Sequence, residues 1–115
     1  MLIRCTLYIV EIDLVLHLIL AVVLGGIVGI ERELVHKPAG LRTHMLVSLG
    51  SCLFTVISVC DFRKDPARIA AGIVAGIGFI GAGAVIAERT RVVGITTAAS
   101  LWVTASIGLA TGVGN

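Results

Sequence analysis

Charged side chains are scarce in this chain, and none falls inside its long apolar runs. They make up 14% of the 115 residues, where soluble domains carry about a quarter. With 57% hydrophobic residues and a mean hydropathy of +1.09, an ordinary soluble domain is excluded. A surplus of one sign is also missing: nine Lys and Arg against seven Asp and Glu leave a net charge of +2, too little and too evenly spread for a nucleic-acid binder. The three cysteines, Cys5, Cys52 and Cys60, are odd in number and have no CxxC spacing. That excludes a disulfide frame or a zinc site and leaves small buried thiols. No linker or low-complexity segment interrupts the chain, which has room for one domain, residues 1–115.

What is present is four charge-poor stretches. A spanning helix needs about 20 predominantly apolar residues, and the stretches read as spans over about 14–30, 43–60, 66–87 and 96–113. The expected fold class is therefore all-α, a polytopic transmembrane bundle of four spans with the lipid bilayer as its solvent. The start does not read as a cleaved signal peptide, because Glu11 and Asp13 rather than a basic segment precede the first run. Lys37-Pro38-Ala39-Gly40 is a turn, Asp65-Pro66 an N-cap followed by proline in the first turn, and Thr96 or Thr97 an N-cap for the last helix. Basic residues after the first span (Arg32, Lys37, Arg42) outnumber Arg4 before it, which favours an outside N-terminus. Over all connections the Lys/Arg split is five to four (Arg32, Lys37, Arg42, Arg89 and Arg91 against Arg4, Arg63, Lys64 and Arg68), so the orientation rests on the first helix.

The second span carries a polar thread. His44, Ser48, Ser51, Thr55 and Ser58 step by 4, 3, 4 and 3 residues, which keeps them on one helical face. The other faces are apolar, with Val47 expected to face lipid. Polar inside and apolar outside is the pattern of a helix solvated by lipid. The fourth span repeats it with Thr97, Ser100, Thr104, Gly108 and Thr111. The two stripes can face each other, or the third span, across a hydrated cleft. They can also act as interhelical glue, the weightier reading from the stripes alone, since Ser and Thr satisfy themselves on backbone carbonyls.

Small residues mark close helix approaches. Gly25/Gly29, Gly72/Gly76 and Gly108/Gly112 are GxxxG pairs. In the third span Gly72, Gly76 and Gly83 share one face and Gly78 and Gly81 nearly the opposite one, so this helix is expected at the centre of the bundle, although glycine is also simply common in membrane helices. Gly76-Ile77-Gly78-Phe79-Ile80-Gly81 fits G-x-G-x-x-G but lacks the preceding strand and the later acidic residue of a dinucleotide site.

Divalent cations want convergent carboxylates. Glu31, Glu33, Asp65 and Glu88 lie at span ends and Asp61 in a loop, so no acidic ring is visible. This favours a bundle interior over an ion pathway for the stripes. Glu31 and Arg42 are brought to similar depth by one hairpin and can pair there or remain two solvated charges. Enzyme chemistry finds no support: His17 is isolated, and His44 with Ser48 has neither an orienting acid nor oxyanion donors. No catalytic residue, metal ligand or cofactor is expected.

Four blocks in order resemble the MgtC/SapB family of bacterial inner-membrane proteins: Gly29-Ile30-Glu31-Arg32-Glu33; Lys37-Pro38-Ala39-Gly40-Leu41-Arg42-Thr43-His44-Met45-Leu46-Val47; Asp65-Pro66-Ala67-Arg68-Ile69-Ala70-Ala71 with Gly76 to Gly83; and Gly94-Ile95-Thr96-Thr97-Ala98-Ala99-Ser100-Leu101-Trp102. The resemblance implies a role in growth at low magnesium and in virulence through intracellular survival. The family's older label is magnesium transport, and its best-known member is linked to inhibition of the F-type ATP synthase. It supplies no agreed catalytic centre, so Glu31, Arg32, Arg42, His44, Asp65, Arg68 and Thr97 carry over as motif positions only. It also implies a fifth span, and in the best-known member a soluble domain, outside residues 1–115. The expectation is a non-enzymatic inner-membrane protein of magnesium-stress adaptation that binds another membrane protein, such as the F-type ATP synthase. The alternative is a magnesium transporter or channel built as a homo-oligomer.

Overall fold

Each apolar run is a helix. The computed structural model describes residues 12–62, 64–87 and 91–114, and its order is α1 (Ile12–Leu34), α2 (Leu41–Asp61), α3 (Pro66–Ala84), β1 (Ile86–Ala87), β2 (Val92–Val93) and α4 (Ile95–Val113). All four helices are long and apolar enough to cross a membrane; the 23 residues of α1 correspond to about 35 Å at 1.5 Å per residue. The protein is a multi-pass membrane protein. Arg4, Cys5, Glu11, Arg63, Glu88 and Arg89 lie outside the described residues.

Helix ends follow local chemistry. Past the end of α1, Lys37 N–H donates to the Arg32 carbonyl and His36 N–H to that of Glu33, both at 3.0 Å. With His36 at φ 57° this is a Schellman closure holding histidine where glycine is usual. The start of α2 is capped from the preceding helix: the Leu41 N–H donates to Glu33 Oε2 at 2.7 Å. Asp65 does occupy the N-cap of α3 with Pro66 behind it, but its side chain makes no capping bond; it pairs with Arg68 at 3.4 Å instead. The N-cap of α4 is neither Thr96 nor Thr97 but Gly94 at φ 95°. A β-carbon there would strike the Ala84 carbonyl, so the β1–β2 ladder (Ile86 opposite Val93, Ala87 opposite Val92) can close only on glycine.

The centre of the bundle differs from the sequence expectation. Its most extensive contacts run α1–α2 and α2–α4, while α3 lies against α4 and touches α2 lightly. The central helix is thus α2, not the glycine-rich α3. The reason is visible at the glycines: a methyl group on Gly72, Gly76, Gly78 or Gly83 would meet nothing within 4 Å, and only Gly81 of α3 has a close neighbour, Ala98. Gly72, Gly76 and Gly83 therefore do not serve as packing glycines within this chain. Nor does Val47 face lipid; it packs with Ile77, Leu101 and Ala105. Leu46, at 67% exposure, is the outward neighbour.

Candidate functional site

Close backbone approach creates a polar seam along α2. The two flanking helices press glycines against it. A methyl on Gly25 of α1 would lie 2.7 Å from both the His44 carbonyl oxygen and the Ser48 β-carbon, and one on Gly29 would lie 2.7 Å from the Leu41 α-carbon. From the other side, Gly108 of α4 seats on the Ser48 carbonyl, and a methyl on Gly112 would lie 2.6 Å from the Cys52 carbonyl oxygen. These contacts run antiparallel for α1–α2 and parallel for α2–α4, so α2 and α4 start on the same side of the membrane.

The two polar stripes face each other directly across this parallel contact, with neither α3 nor a cleft between them. His44, Ser48, Ser51, Thr55 and Ser58 are buried, as are Thr97, Thr104 and Thr111. Most of their hydroxyls turn back on their own helix: Thr55 Oγ1 donates to Ser51 O at 2.7 Å, Thr104 Oγ1 to Ser100 O at 2.8 Å and Thr111 Oγ1 to Ile107 O at 2.7 Å. Such back-bonding satisfies a hydroxyl in lipid without a partner helix. Ser58 Oγ reaches the Pro66 carbonyl at 3.0 Å, tying α2 to the start of α3.

His44 is the exception. Its ring is fully buried and holds both neighbours by its nitrogens: Nδ1 lies 2.8 Å from the Gly40 carbonyl and Nε2 lies 2.9 Å from Ser100 Oγ. Ser100 Oγ in turn lies 2.8 Å from the Thr97 carbonyl. Among the described residues this is the one side-chain hydrogen bond joining α2 to α4. One turn along, Ser48 Oγ is buried with no partner.

Glu31, Arg32 and Arg42 gather at the same end, and Glu31 and Arg42 do not pair. Glu31 is bound not to Arg42, which is exposed, but to its neighbour Arg32, Nε to Oε2 at 2.5 Å and Nη2 to Oε1 at 2.8 Å. Adjacent guanidinium and carboxylate close this bidentate fork without bridging the hairpin. The Arg32 side chain is only 13% exposed, and its Nη1 is buried without a partner. Asp65 and Arg68, both exposed, lie at the opposite end. Among the described residues no group of three or more His, Cys, Asp and Glu could hold a metal ion.

Sequence reasoning missed two participants. From the sequence Glu33 reads only as a span-end charge; the signal for its role is the spacing of eight residues to the bare start of α2. A groove of about 880 Å³ between α2 and α3, lined by Leu46, Gly50, Phe54, Gly72 and Gly76 among others, has no signature beyond the glycines themselves.

Comparison with known proteins finds a matching family. The model of the MgtC family matches residues 18–115. The Escherichia coli K12 protein named "Putative magnesium transporter YhiD" is 45% identical over 111 residues, covering 89% of this chain and 52% of its own. "Protein SapB" of Bacillus subtilis is 41% identical, covering 89% of this chain and 48% of its own. "Protein MgtC" of Salmonella typhimurium is 45% identical, covering 87% of this chain and 43% of its own. The chain thus spans about half the length of these relatives. No solved structure matches.

Proposed function

Because the chain belongs to the MgtC family, we propose that it acts in the bacterial inner membrane in adaptation to low magnesium, by binding and regulating another membrane protein rather than by catalysis. The observation that carries this reading is the closed α2–α4 seam. Glycine-to-carbonyl packing at Gly108 and Gly112 and hydroxyls spent on their own helices leave no polar path between the stripes. Meanwhile the outward glycines of α3 leave room for a partner helix to approach closely. The F-type ATP synthase is the partner to which the family resemblance points, and an outside N-terminus is the orientation to which the basic residues point. In inverted membrane vesicles, added protein is expected to lower ATP-driven proton pumping and to co-purify with its target. Unchanged pumping together with no co-purifying membrane protein overturns the reading.

A second reading is favoured by the name of the E. coli relative, a putative magnesium transporter: an oligomer whose pathway runs between copies rather than through one bundle. Proteoliposomes holding an imposed Mg²⁺ gradient distinguish the two. Flux above that of empty liposomes supports the transporter, and its absence supports the regulator.

A further inference from the structure

The bonds around His44 do not balance for a neutral ring. Three contacts meet there: Nδ1 with the Gly40 carbonyl, Nε2 with Ser100 Oγ, and Ser100 Oγ with the Thr97 carbonyl. Both carbonyl oxygens can only accept. The Gly40 contact therefore requires a proton on Nδ1, and the Thr97 contact uses the one hydroxyl proton of Ser100. Nothing is left to fill the Nε2–Ser100 contact unless Nε2 carries a proton as well. A neutral imidazole with its proton on Nδ1 can keep two of the three contacts, and only the imidazolium keeps all three.

We propose that His44 is a proton-binding site inside the membrane bundle, and that Ser100 is its relay between two states. In the neutral state Nδ1–H donates to Gly40 O, and the Ser100 hydroxyl donates to the Nε2 lone pair, releasing the Thr97 carbonyl. When one proton from the aqueous phase adds to Nε2, the Ser100 hydroxyl keeps its own proton and rotates. It then accepts from Nε2–H and donates to Thr97 O. One proton is bound, no covalent bond breaks elsewhere, the single hydrogen bond across the α2–α4 seam reverses direction, and one hydrogen bond is added within α4, from Ser100 to Thr97 O.

Charges of both signs lie at this end of the bundle. Glu31 on α1 has Arg32 bound beside it. Glu33 on α1 and Arg42 on α2 lie at the same end, as do His36 and Lys37 in the turn. Helix α4 contributes hydroxyls and no titratable group. The single charged residue of α3, Arg68, sits at the far end of the bundle. An ionisable residue in a bundle interior is a common place for proton chemistry in membranes, and histidine is the side chain that changes charge between about pH 5 and 8.

The test is ¹⁵N solid-state NMR of ring-labelled His44 in phosphatidylethanolamine–phosphatidylglycerol bilayers, titrated between about pH 5 and 8. The wild type is expected to pass from a ring protonated on Nδ1 alone to one protonated on both nitrogens. In Ser100→Ala the ring loses its Nε2 partner in both states, so the Nε2 resonance is expected to move from its wild-type position at both ends of the range. Ser100→Thr, which keeps the hydroxyl, is expected to give the wild-type Nε2 resonances. A ring that stays in one state across the range overturns the site, and needs no variant to be seen. A ring protonated on Nε2 alone at high pH, or an unmoved Nε2 resonance in a folded Ser100→Ala, overturns the relay.

Discussion

Replacing Gly25 by alanine puts a methyl group where α1 presses hardest on α2. The added carbon would sit 2.7 Å from the His44 carbonyl oxygen and 2.7 Å from the Ser48 β-carbon. The first neighbour is backbone and cannot swing away, so the two helices must separate or tilt; overpacking of this kind costs about 1–3 kcal/mol. Gly76→Ala on α3 is the matched control, because its methyl meets nothing within 4 Å. Both changes exchange glycine for alanine in a helix interior, so the propensity gain of about 1 kcal/mol is common to the two and cancels in their comparison. Gly25→Ala is therefore expected to be less stable than Gly76→Ala by about 1–3 kcal/mol. Reversible unfolding in mixed micelles, followed by helicity against the denaturing detergent fraction, measures the difference. Equal stabilities, or Gly76→Ala as the weaker of the two, would refute the assignment of close packing to α1–α2 rather than to α3.

Other substitutions test separate features. Ser48→Ala removes a buried hydroxyl without a partner and is expected to stabilise the bundle by about 1 kcal/mol; a loss in the same unfolding assay would show that the hydroxyl is bonded. His36→Gly relieves a left-handed residue at φ 57° and is expected to add about 1 kcal/mol, with an unchanged or lowered midpoint counting against the Schellman closure. Glu33→Ala strips the cap from the Leu41 N–H and is expected to cost about 1 kcal/mol and to speed amide exchange at the start of α2. Glu33→Gln, which retains an acceptor oxygen, should recover most of that protection; identical exchange in both variants would rule out the cap.

The helices and the polar stripes were legible because period and composition carry them: a charge-free run of the right length is a span, and steps of three and four define a face. Partner choice was not legible. Gly25/Gly29, Gly72/Gly76 and Gly108/Gly112 look alike as strings, yet only the first and last pairs meet another backbone closely within this chain. What separates them is the position of α2 between α1 and α4, a tertiary property that no single helix encodes. Whether Glu31 pairs with Arg42 was open in the sequence for a similar reason. Hairpin geometry brings charges to the same depth, but Arg32 is adjacent to Glu31 and reaches it first. The imbalance of donors at His44 needed the coordinates, since the sequence reveals neither that Nε2 meets Ser100 nor that both outer acceptors are carbonyls.

The back-bonded hydroxyls have a mechanical consequence. Thr55, Thr104 and Thr111 keep their bonds whatever the neighbouring helix does, because donor and acceptor travel together on one helix. Among the described residues α2 and α4 are thus two smooth rods running in the same direction, joined near one end by the single His44–Ser100 pin. Such a pair is held by its glycine seats and this pin, with no further side-chain hydrogen bond between the described parts of the two rods to break when one moves against the other.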